Sequence, residues 1–160
     1  MENIYSKKAK IFGLDGLGQY LNSAGMFLIT LLWSYAVFAK LSDLELYRRQ
    51  MNEQPLSPGI ISTLMFLVPA LELASATLLI LKRYISGLWI SLALLICFTL
   101  YIALILNKIF PSAPCSCGGF ISKLGWKNHL YFNLFLIALN TFCLIQTNKK
   151  RKGVNGKEKK

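Results

Sequence analysis

The chain has 160 residues, 54% of them hydrophobic and 16% charged, with a mean hydropathy of +0.47 and a net charge of +11. The length is one domain's worth, and the charged fraction falls short of the ~25% that a soluble domain carries. Much of the positive charge sits at the ends, in Lys7, Lys8 and Lys10 and in the run from Lys149 to Lys160. Basic flanks of apolar spans set topology and attract anionic headgroups, so the charge is accounted for without any nucleic acid.

Taken in chain order, residues 1–19 read as a basic cytoplasmic segment, followed by a first apolar span over about 20–38 that ends at Ala39-Lys40. This span lacks a small-x-small cleavage site, and Trp33, Tyr35 and Phe38 crowd the place where one belongs, so it reads as retained rather than as a signal peptide. A second span covers about 59–81 and stops at Lys82-Arg83; a third follows over about 85–106; a fourth covers about 130–146. Each approaches the ~20 residues that cross a ~30 Å hydrocarbon core. A basic tail occupies 148–160.

The expected fold is therefore all-α, a polytopic bundle of four transmembrane helices over residues 20–147. The N-terminal segment, the Lys82-Arg83 turn and the tail hold most of the Lys and Arg, a bias of roughly two to one for a cytoplasmic N-terminus. An even number of spans puts the tail there too, and loops 40–58 and 107–128 outside. Backbone groups in lipid must bond within their own segment, which demands helices. Ala70, Ala74, Ser75 and Ala76 in the second span, with Gly87, Ser91 and Ala93 in the third, mark expected close approaches.

The stretch Asn107 to Ser122 contains Pro114-Cys115-Ser116-Cys117-Gly118-Gly119. Two prolines keep the approach to Cys115 out of a helix, and Gly118-Gly119 opens backbone conformations closed to other residues. A disulfide between Cys115 and Cys117 closes a small, strained ring, which suits exchange better than stapling. The orientation above places the pair in an oxidising compartment. Redox exchange leads; a rigid clip and a metal site with His129 as a third ligand are the alternatives, the latter short of a fourth ligand. Cys97 and Cys143 lie inside spans and read as small apolar packing residues.

Glu72 sits near the middle of the second span, three residues after Pro69. An ionisable group there marks a pathway, a proton relay or a buried pair; the plainer reading is a protonated Glu bonded to a neighbouring helix, for instance to a carbonyl freed by Pro69. Trp126, His129, Asn133 and Asn140 share one face of the last helix. His129 is suited to lowering a thiol's pKa or shuttling a proton, or else to sitting at the interface beside Trp126 as a headgroup anchor.

With these residues in place the chain resembles the MauE-type members of the DoxX-like superfamily of small four-helix membrane proteins. Phe38-Ala39-Lys40-Leu41-Ser42-Asp43 resembles that family's Lys-Leu-x-Asp segment, and Pro69-Ala70-Leu71-Glu72-Leu73 its Pro-x-x-Glu-Leu segment. Pro114 to Gly119, followed by Trp126 to Asn133, resembles its Cys-Gly-Cys-Phe-Gly loop and the Asn that opens the last helix. Ser116 stands for the first Gly of that loop, and no Phe separates Gly118 from Gly119.

The resemblance implies a redox-associated protein of the bacterial inner membrane that supports disulfide formation in an exported protein, as in methylamine dehydrogenase maturation. It makes Cys115 and Cys117 the redox pair, and Lys40, Glu72 and Asn133 supporting positions. The expected partners are the lipid bilayer and an extracytoplasmic thiol client or carrier; a membrane quinone is the obvious electron sink. Two other classes stay open: a non-catalytic assembly factor in which the cysteines are a clip, and a small transporter coupled through Glu72.

Overall fold

The computed structural model describes residues 2–109 and 125–157, with side chains placed over 16–109 and 125–151. Every regular element among them is a helix: α1 (Glu2–Ser42), α2 (Leu44–Asn52), α3 (Pro58–Ile80), α4 (Tyr84–Leu106) and α5 (Trp126–Lys157). Four helical stretches are long and apolar enough to cross a membrane: Gly16–Ser42, Pro58–Ile80, Tyr84–Leu106 and Trp126–Arg151. The protein is thus a multi-pass membrane bundle whose outer face meets lipid.

The first and last helices extend beyond the expected 20–38 and 130–146. Apolarity stops at the first charge, whereas a helix goes on bonding its own backbone past Lys40 and before Leu130.

Each spanning helix turns a stripe inward at three- and four-residue steps. In α1 the buried stripe is Gly25, Ile29, Trp33, Ala36 and Lys40; in α5 it is His129, Asn133, Leu136, Asn140 and Cys143. The helices pack in the cyclic order α1, α3, α4, α5, with α5 closing back on α1. Phe27, Phe38, Phe66, Trp89, Leu100 and Phe135 point outward, where lipid takes the place of water.

Two glycines fix how near the helices come. A Cβ on Gly25 would meet Cys143 Sγ at 2.6 Å, and one on Gly87 would meet Leu79 Cγ at 2.9 Å. Ser75, Ala76 and Ser91 are buried at such contacts as their size suggests, but Ala70 and Ala93 face outward.

Cross-helix hydrogen bonds tie this layer. Trp33 Nε1 donates to Ser91 Oγ at 2.8 Å, Ser75 Oγ to the Gly87 carbonyl at 3.1 Å, and Asn140 Nδ2 to the Leu88 carbonyl at 3.0 Å.

Residues 40–58, expected as a loop, contain α2. Asp43 caps it by accepting from the Leu46 amide at 2.9 Å. Tyr47 and Met51, one turn apart, then bury against Ile61, Leu64 and Met65 of α3.

Pro69 explains part of this docking. A proline inside a helix has no N–H for the carbonyl four residues earlier, which here is Met65. The Tyr47 hydroxyl donates to that Met65 carbonyl at 3.3 Å. The freed carbonyl thus goes to α2, not to Glu72.

Candidate functional site: a buried ion pair between two cavities

Side chains on a helix lean toward its N-terminus, so Lys40, in the last turn of α1, reaches back along the helix rather than out of it. Its Nζ lies 2.9 and 3.0 Å from the two carboxylate oxygens of Glu72 on α3, and 3.4 Å from the Ala36 carbonyl. Only 3% of the Lys40 side chain and 1% of Glu72 is exposed. An isolated charge in this position costs several kcal/mol or more; as a two-point pair the two charges cancel, and the ammonium directs its hydrogens within the protein. The Tyr47 ring lies 5.9 Å from Nζ and adds a weak cation–π contact.

The pair lies between two cavities. On the Glu72 side a pocket of about 30 Å³ is bounded by Glu72, His129, Asn133, Trp33, Leu95 and Phe98. That is room for about one water molecule. His129 and Asn133 are both buried, and among the described residues the Asn133 Nδ2 has no hydrogen-bond partner. On the Lys40 side an almost wholly apolar cavity of about 290 Å³ runs between α2, α3 and α4. Its walls include Lys40, Tyr47, Phe98, Tyr101, Ile102 and Trp126. Tyr101 donates its hydroxyl hydrogen to Gln54 Oε1, which ties the turn after α2 to α4 at one edge of this space.

Sequence reasoning named several of these residues without bringing them together. Lys40 reads from sequence as a charge in a connection, and Glu72 as a pathway, relay or buried-pair residue with no partner named; the structure makes the two partners. His129 is buried and lines the Glu72 pocket, and Trp126 lines the larger cavity. Asn140 shares the face but bonds a full two turns deeper, in the packing layer. Tyr47, Gln54 and Tyr101 went unremarked. The Asp43 cap followed by Tyr47 and Met51 at a four-residue step was the available signal for α2.

Pro114, Cys115, Cys117, Gly118 and Gly119 all lie outside the described residues. Of the other cysteines, Cys97 is exposed beside the larger cavity and Cys143 is buried against α1. The described residues contain no cluster of three or more metal-binding side chains.

No curated protein and no solved structure matches the chain. The family described as methylamine utilisation protein MauE matches residues 18–146, which takes in the second and third spans whole, most of the first and last, the ion pair and the cysteine loop. The chain belongs to the MauE family.

Proposed function

We propose that the protein is a membrane accessory of disulfide chemistry, acting through Cys115 and Cys117 on an exported thiol protein at the outer face of a bacterial inner membrane. In each exchange a client dithiol loses two electrons and two protons to the loop disulfide, leaving the client oxidised and the loop as a dithiol. The N-terminus, the Lys82-Arg83 turn and the tail are then cytoplasmic, and the α4–α5 connection faces outward. The family's description points to methylamine utilisation as the setting, and the resemblance noted above makes an exported methylamine dehydrogenase the client class.

The observation that carries this reading is the inward face of α5. The helix that follows the cysteine loop brings His129 and Asn133 to the wall of the Glu72 pocket. A clip alone has no use for a charged pair deep in the bundle, since such a pair stabilises little compared with apolar packing.

The test is mixed-disulfide trapping in intact cells. With Cys117→Ser, Cys115 holds its client as a covalent adduct that reductant releases, and Cys115→Ser/Cys117→Ser traps nothing. Function that survives the double replacement unchanged identifies a non-catalytic assembly factor instead.

A further inference from the structure

The structure points to a ligand for the larger cavity: we propose that it takes the ring of a membrane-soluble quinone, with Lys40 as the polar anchor. The volume, about 290 Å³, is close to the ~300 Å³ at which small-molecule sites begin, and such sites are mostly apolar with a few placed polar groups. Lys40 is buried in its wall, with Glu72 immediately behind.

Charge narrows the choice. The Lys40 ammonium is already neutralised by Glu72, so the site has no spare positive charge for an anionic headgroup, and its apolar walls would desolvate one at high cost. A neutral ligand fits. Shape narrows it further: Tyr47, Phe98, Tyr101 and Trp126 all contribute to the walls, and aromatic surfaces favour a flat ring stacked or met edge-on. A quinone ring is flat and neutral, and its carbonyl oxygen can accept the Lys40 hydrogen that otherwise makes the long 3.4 Å contact with the Ala36 carbonyl.

The inference deepens the thiol-exchange reading by supplying its electron acceptor, though the binding itself does not depend on that reading. When two thiols and a quinone become a disulfide and a quinol, two S–H bonds break and one S–S bond forms. The two electrons and two protons released make two O–H bonds on the ring. The Lys40–Glu72 pair lies between the ring site and the pocket of His129 and Asn133.

Photolabelling tests this in the Cys115→Ser/Cys117→Ser protein, reconstituted in lipid nanodiscs. The probe is an azido-substituted ubiquinone with a ten-carbon tail. Cross-links are expected on the cavity walls of α2, α3 and α4, suppressed by decyl-ubiquinone but not by decanol, which has the tail without the ring. Val68→Phe, which adds a ring to the cavity wall, should cut labelling at least about fivefold. Lys40→Met/Glu72→Leu should weaken competition by decyl-ubiquinone roughly three- to tenfold, the loss of one hydrogen bond.

Labelling spread over the lipid-facing Phe66, Leu73 and Trp89 without competition overturns the proposal. Equal suppression by decanol also overturns it and makes the cavity a site for an acyl chain. Competed labelling in a protein that shows no thiol exchange would leave the quinone site standing while the exchange reading falls.

Discussion

The bundle carries two buried polar layers built on different terms. In the layer of Ser75, Gly87, Ser91, Trp33 and Asn140 the groups are neutral, the helices are in close contact, and each hydrogen bond joins neighbours across a tight seam. In the layer of Lys40, Glu72, His129 and Asn133 the groups include two full charges, and cavities lie on both sides. Neutral polar groups between small residues hold membrane helices together at little cost. Buried charges beside cavities do the reverse: they add desolvation cost and lie where protein packing is interrupted. The first layer secures the fold; under the function proposed above, the second gives up stability for chemistry.

The largest effect that would break this comparison comes from splitting the ion pair. Lys40→Met leaves Glu72 buried and unpaired and should cost about 3–5 kcal/mol, read as unfolding in mixed micelles. Lys40→Met/Glu72→Leu should recover most of that loss, because an apolar pair of similar volume packs as well as the ions it replaces. A double variant as unstable as the single one would mean that the pair is structural after all.

Next in size is overpacking in the neutral layer. Gly87→Leu drives a side chain into Leu79, whose backbone nitrogen lies 3.2 Å from the position of the new Cβ, and should cost about 1–3 kcal/mol. The same change at Gly59, where nothing lies within 4 Å, should leave the melting curve almost unmoved.

The smallest effect separates the two layers by a single residue type. Asn140→Leu removes the Nδ2 bond to the Leu88 carbonyl together with an Oδ1 that has no partner among the described residues, and should cost at most about 0.6 kcal/mol, the average for such bonds in membranes. Asn133→Leu removes an amide whose Nδ2 has no partner among the described residues, and should be neutral or mildly stabilising while slowing thiol exchange. Equal losses at both positions would erase the distinction between the layers.

The four spans were legible because lipid forces every apolar stretch into a helix, and the inward face of α5 followed from three- and four-residue spacing alone. What the sequence hid was long-range pairing. Lys40 and Glu72 are 32 positions apart, and a lysine at the end of an apolar run reads as a boundary charge until a helix is built that lets it lean back.

For the same reason α2 passed as a connection. Its nine residues are too polar to register beside the spans, yet Asp43 caps it and Tyr47 docks it on the carbonyl that Pro69 leaves open. Small size alone was also too blunt a guide, since Ala70 and Ala93 face lipid while Ser75 and Ser91 line the seams.

Under the proposed function, the charged layer serves the cysteine loop and is not needed to hold the bundle together. The most direct test is the reoxidation rate of Cys115 and Cys117 after a pulse of dithiothreitol, followed by maleimide-PEG mass shift in membranes. Wild type is compared with Lys40→Met/Glu72→Leu at matched melting temperature. The double variant is expected to fold normally and to reoxidise at least about tenfold more slowly, as for the loss of a group that assists proton transfer. Reoxidation at the wild-type rate would contradict the claim and reduce the pair to a costly piece of architecture.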